Sequence, residues 1–244
     1  MKQTLIACSL FALLAACSPK NEETSTPAPA PAPAANSTAP TPASAVDVPA
    51  GDYQLDKSHA SLIFRVDHLG FSKYTARFKQ FDAQLKFDPA NLAASSVTVS
   101  VDPRSIETDF PDPAKHDFNA ALQGEQWLDV AKYPQIAFRS TAVEVIGPNA
   151  MRVTGDFTLH GVTRPLTLQA TFNGGYAGHP MDPNARIGFS AQGVLKRSEF
   201  GIPYGIPAPG TTMGVSDEVE VIIEAEFSGP PLASASAASG ETQK

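Results

Sequence analysis

Side chains able to do covalent or acid–base chemistry are few in this 244-residue chain. Its five histidines are His59, His68, His116, His160 and His179. No two of them form an H-x-H or H-E-x-x-H pair, and no G-x-S-x-G turn raises a serine nucleophile. The one compact polar cluster is Asp109, Asp112, His116 and Asp117. It carries enough ligand atoms for a metal, and a metal-dependent enzyme is the reading that would follow. The same residues suit loop and helix capping, which is the preferred use. No catalytic residue, metal or cofactor is therefore expected.

The one residue with a definite chemical expectation is Cys17. Lys2 gives a positive start, and Leu5 to Ala16 is an apolar run too short to span a bilayer, in the form of a secretory signal. The run ends Leu14-Ala15-Ala16-Cys17, which resembles the lipobox of bacterial lipoproteins. That resemblance implies cleavage before Cys17, a diacylglycerol thioether on its sulfur and a further acyl chain on its amine. Two or three acyl chains hold a protein durably at a membrane, where one does not. Ser18 follows the cysteine where inner-membrane lipoproteins commonly carry Asp, so the chain resembles the class facing the periplasm from the outer membrane. An ordinary signal peptide with a chance cysteine is the alternative. Cys8 leaves with the signal, so the body has no thiol, and thiol catalysis and zinc–thiolate sites are excluded there.

Composition then divides the chain. Residues 1–16 are the signal, and residues 17–50 are the lipidated cysteine and a linker of Pro, Ala, Ser and Thr that cannot bury a core. As extended polyproline-type chain this linker would reach about 100 Å. Residues 51–228 form one domain, and residues 229–244 read as a small, polar, disordered tail. The body carries 15 Lys and Arg against 21 Asp and Glu, and no basic cluster, which argues against a nucleic-acid partner.

The elements that must position any site are strands. Met151, Val153, Gly155, Phe157 and Leu159 share one face of an extended segment; Arg152, Thr154, Asp156, Thr158 and His160 share the other. After a break at Gly161 the pattern resumes with Leu166, Leu168, Ala170 and Phe172, a hairpin signal, with Pro165 expected at the start of the second strand. Similar alternation marks Leu62 to Val66, Ala83 to Phe87, Val97 to Val101 and Val219 to Phe227. Shorter strands are expected at Tyr53–Leu55, before a turn at Asp56 to His59, and at residues 75–81, 135–138, 142–146 and 187–195. Residues 103–133 lack alternation. Pro113 suits a helix start, Ala114 to Leu122 a short helix and Gln126 to Lys132 a second. Trp127 and Leu128 would pack this segment on an end or edge of the sheet. Eight or more one-sided strands with few helices indicate an all-β fold, an antiparallel barrel with a two-sheet sandwich as rival. Charged outer faces and a single Trp argue against an outer-membrane pore.

From about Gly51 to Phe227 the chain resembles YceI-like proteins. The matching pieces, in order, are Tyr53-Gln54-Leu55-Asp56 with Ser58-His59, Val66 to Ser72, Ser105-Ile106-Glu107-Thr108, Tyr133-Pro134 with Phe138, Gly155 to Thr163, and Leu195 to Ile202. Ala76 and the Lys115-His116-Asp117-Phe118 segment depart from the family pattern. The resemblance implies an eight-stranded, lipocalin-like antiparallel barrel with a long apolar cavity, holding an isoprenoid such as a polyprenyl phosphate or quinone, or a fatty amide. The alternation nominates Leu62, Phe64, Val66, Leu85, Phe87, Val99, Phe138, Val153, Phe157, Leu159, Leu168, Phe172, Phe189, Val221 and Ile223 as its wall. His68, Arg104 and Arg197 are candidates for the ligand's head group, Arg being suited to phosphate. The expected partners are this apolar ligand and a membrane reached through the lipid anchor; the pattern sets no oligomeric state. The rival from another class is a non-binding envelope scaffold or adhesion lipoprotein, whose barrel would be filled by its own side chains.

Cys17→Ala is expected to move the protein from the membrane pellet to the soluble fraction. Continued pelleting of the variant overturns the anchor.

Overall fold

The computed structural model describes residues 48–232. The signal, Cys17, the linker up to residue 47 and the tail beyond residue 232 lie outside the described residues. Ten strands follow in order: β1 (Gly51–His68), β2 (Ser72–Phe78), β3 (Phe81–Phe87), β4 (Ser96–Val101), β5 (Ile106–Glu107), β6 (Ile136–Val145), β7 (Ala150–Leu159), β8 (Val162–Tyr176), β9 (Asn184–Lys196) and β10 (Val215–Pro231). One α-helix, α1 (Phe118–Gln123), interrupts them.

All neighbouring strands run antiparallel, in the order β10-β9-β8-β7-β6-β4-β3-β1, and β10 pairs with β1 to close the ring. β2 and β3 lie on the same side of β1, one at each end, so the ring has eight staves. β5 is a two-residue appendage on β2. The closed barrel, not the sandwich, is the architecture, and closure removes the edges that would otherwise invite aggregation. The β1–β10 register sets Leu62 against Ile223, Phe64 against Val221 and Val66 against Val219. These pairs fall on one face by the two-residue period, and the intervening Arg65 and Glu220 fall on the other.

β7 and β8 form the expected hairpin. His160 and Gly161 turn it with φ of 52° and 73°, the pair of left-handed residues that matches the twist of adjoining strands. Pro165 is not at the start of β8, which begins at Val162. β9 joins β8 only from Gln169, so the missing donor falls on a stretch with no second neighbour.

Other expectations are revised. Asp56 to His59 do not end a strand; β1 runs through them as a bulge against β10, between Leu55 and Ala60. The turn-forming side chains fold onto the bulge. Asp56 accepts from Ser58, lies 3.1 Å from His59 Nδ1 and accepts from Arg186 Nη1 at 2.7 Å. The Ser58 and His59 contacts hold the Asp56 carboxyl well below the usual carboxylate range. The two short strands of residues 135–146 are one strand, β6, with an irregularity between Ser140 and Ala142. The helix begins after Asp117, not at Pro113, because the Asp117 side chain accepts from Ala120 N at 2.8 Å and caps it. The second helix over 126–132 is a series of turns.

β10 continues to Pro231, past the expected end of the domain at Ser228. Gly229 lies flat against Tyr53, and a Cβ there would come within 2.1 Å of the ring. Tyr53 is 0 % exposed, donates to the Pro49 carbonyl at 2.7 Å and meets Phe87 edge-on at 5.9 Å between ring centres. Phe87 stacks on Phe172, which meets Phe189 at 5.3 Å. With Val48, Leu55, Leu85, Ile187 and Phe227 these rings seal one end of the barrel.

Gly229→Ala is expected to lower stability by about 2 kcal/mol in urea unfolding, because the ring cannot retreat. Gly188→Ala is the control: its Cβ would sit 3.8 Å from the nearest atom, in ordinary contact. Equal midpoints for the two variants overturn this account.

Candidate functional site

The barrel interior holds two adjoining cavities. The larger, about 660 Å³, occupies the end away from Tyr53. The smaller, about 140 Å³, lies above the sealed end. Leu62, Val99, Phe138, Leu168 and Ile223 line both and form a waist between them. The linings are almost wholly apolar. A site of this size is within the range of roughly 300–1,000 Å³ typical of small-molecule pockets.

The expected wall residues divide as follows. Phe64, Val66, Phe157, Leu159 and Val221 line the large cavity, and Leu85, Phe87, Val153 and Phe189 the small one. Phe172 lines neither; it stands behind Phe87 and Phe189 in the aromatic seal. His68 lines the large cavity. Arg104 does not: it is exposed and grips Asp102 through Nε at 2.8 Å and Nη2 at 3.1 Å.

Arg197 lines the cavity but is chiefly structural. It is 4 % exposed. Its Nε donates to the Ser216 carbonyl at 2.8 Å, its Nη1 to Ile202 and Tyr204 at 2.9 and 2.7 Å, and its Nη2 to Val215 at 2.7 Å. Trp127 covers it at 5.3 Å from the ring centre, and Tyr204 packs edge-on against that Trp. Burial pushes the guanidinium pKa down from its ordinary value, and Asp217 acts in the opposite sense. One cation thus binds the 202–204 loop to the start of β10.

The cover of the large cavity comes from residues 103–133, where no periodicity pointed to it. Ile106, Phe110, His116, Phe118, Leu122, Trp127 and Leu128 all face inward. Asn119 fixes this segment, accepting from Thr108 N at 3.0 Å and Thr108 Oγ1 at 2.7 Å and donating to Glu107. Tyr74, on β2, donates to the Thr108 carbonyl at 3.2 Å. His68 and His116 are the two lining residues exposed to solvent, and they mark the mouth.

The polar cluster considered for a metal is dispersed. Asp109 pairs with Arg77, Asp112 with Lys115 and Asp117 caps α1, while the His116 ring rests between Phe110 and Phe118. Asp56, His59 and Glu226 do converge elsewhere on the surface. There Arg186 already occupies Asp56, and the hydrogen bond to Asp56 raises the His59 pKa. The arrangement is an ion-pair network, and the chemistry open to the interior is apolar enclosure of a chain.

Arg197→Met is expected to cost about 3 kcal/mol or more in urea unfolding, since it strands buried carbonyls. Arg197→Lys should recover only part, because an ammonium cannot present the planar fork. Full recovery by Lys overturns the multidentate role.

A family profile described as the YceI-like domain matches residues 53–227. "Protein YceI" of Escherichia coli O157:H7 is 39% identical over 188 residues, covering 75% of this chain and 90% of that protein. The crystal structure of Burkholderia cenocepacia BcnA superimposes with a TM-score of 0.59 at 27% identity, covering 70% of this chain and 98% of that one. A structure described as a polyisoprenoid binding domain from Saccharophagus degradans shares the fold at 15% identity, with a TM-score of 0.52 over 73% of this chain and 98% of that one. Closed antiparallel barrel, apolar interior and matched profile agree: the chain belongs to the YceI-like family.

Proposed function

We propose that this protein is a lipid-anchored binding protein of the bacterial cell envelope, facing the periplasm from the outer membrane. It holds one long-chain amphiphile, an isoprenoid such as a polyprenyl phosphate or quinone, or a fatty amide. The observation that carries this reading is the cavity of about 660 Å³, apolar almost throughout and continued past the waist by a second of about 140 Å³. Each methylene moved from water into such a lining gains about 0.8 kcal/mol, so chain length supplies affinity without catalytic machinery. A scaffold would gain nothing from leaving its core unfilled, since unfilled volume costs stability. The Saccharophagus degradans relative, described as polyisoprenoid-binding, supports the ligand class. The lipobox-like Leu14-Ala15-Ala16-Cys17 supports the anchor.

Organic extraction of protein purified from its native host, followed by mass spectrometry, is expected to return a long-chain amphiphile at about one per barrel. A protein that carries none and takes up none overturns the proposal. Val99→Phe narrows the waist, and should weaken binding of long chains by about tenfold while sparing short ones. Equal loss for both lengths would mean that the ligand does not pass the waist.

A further inference from the structure

The barrel wall is incomplete at one place. β1 pairs with β3 only as far as Gln54 opposite Gln84, and with β2 only from Leu62 opposite Phe78. Between those points, residues 55–61 of β1 and 79–83 of the facing chain make no ladder pairs with each other. The facing chain turns elsewhere for its bonds. Lys79 N donates to the Ser105 carbonyl at 3.0 Å, Gln80 N to Ser105 Oγ at 2.9 Å, and the Gln80 carbonyl accepts from Asp102 N at 3.0 Å. Lys57 Nζ and Asp82 Oδ2 reach across the gap at 2.7 Å, and both are exposed. Exposed pairs contribute little, so this is a weak closure.

A groove of about 580 Å³ lies over the gap on the outside. Three of its lining residues also line the interior: Leu62 both cavities, Phe78 the large one and Phe81 the small one. The outer part of the groove carries Lys57, Arg77 and Lys79, against Asp82 and Asp102. Lys57 is paired with Asp82 and Arg77 with Asp109, while Lys79 makes no ion pair among the described residues. One unpaired cation beside two exposed, exchangeable ones stands here on a chain whose formal net charge is −7.

Resting on the carrier reading above, we propose that this break is a side portal with a head-group seat. The tail of an anionic amphiphile passes between Leu62, Phe78 and Phe81 to the waist. Its phosphate-like head remains outside, held by Lys79, with Lys57 and Arg77 turning to it from their exposed partners Asp82 and Asp109. The portal meets the interior at Leu62, where the two cavities join, so a tail entering there has access to both. A head group seated outside keeps its charge in water and avoids the cost of burial.

The test compares geranylgeranyl monophosphate with geranylgeraniol, which has the same tail and no charge, on the purified full-length protein. The Lys57→Glu/Lys79→Glu double variant should lose about tenfold or more in affinity for the phosphate and keep its affinity for the alcohol. Both lysines are exposed, so folding is checked by an unchanged melting temperature. Ser61→Trp, which fills the groove, should slow uptake and release of the alcohol by about tenfold at unchanged equilibrium affinity. Equal effects on the two ligands in the double variant, or unchanged rates in Ser61→Trp, overturn the portal. Inorganic phosphate binding as tightly as the prenyl phosphate also overturns it, leaving only an anion site. A wild-type protein that binds neither prenyl ligand overturns the carrier reading instead.

Discussion

The pairing of β1 with β10 is the constraint from which the rest follows. It joins the first strand of the body to the last, along nearly the whole of both, and turns a curled sheet into a ring. Eight staves fix the diameter, and at that diameter the interior is at the limit of what side chains can fill. One end is filled, by Tyr53, Phe87, Phe172 and Phe189 packed ring against ring. Toward the other end the inward positions mix Leu, Val and Ile with Phe64, Phe78, Phe138 and Phe157, and together they leave about 660 Å³ open. The cavity is therefore a product of closure and of an apolar lining that does not fill it, with no special chemistry required.

Closure leaves the wide end to be covered, and the covering uses hydrogen bonds where the barrel uses ladders. Arg197 gathers carbonyls from Ile202, Tyr204, Val215 and Ser216, and Trp127 caps its guanidinium. Asn119 and Tyr74 tie down the opposite side through Thr108. A buried cation bound only to neutral carbonyls gives the cover orientation without a carboxylate in the apolar space. The outer surface keeps its charges in water, where they add little to stability.

The barrel was largely legible in the sequence; of its cover only the packing of Trp127 and Leu128 on an end or edge of the sheet was. Alternation is a local signal: Leu62, Phe64 and Val66 announce an inward face because strand geometry has a period of two. Phe172 obeys the same period but stands behind two other rings, a fact of three-dimensional neighbours. Residues 103–133 obey no period, and their inward side chains are set by hydrogen bonds to Thr108 and Asn119. Arg197 looked like a surface phosphate ligand because the four carbonyls that claim it lie 5 to 19 residues away. Arg104 looked the same, and its partner, Asp102, is only two residues distant. Pro165 was misplaced because the sequence did not reveal where β9 stops accompanying β8.

Val48 is buried among the rings of the sealed end, next to the start of β1. The chain thus enters the barrel at the pole opposite the histidine-flanked opening, and β10 leaves at that same pole. Both ends of the described chain therefore stand clear of the open rim, and neither lies in the path of an apolar chain that enters or leaves there.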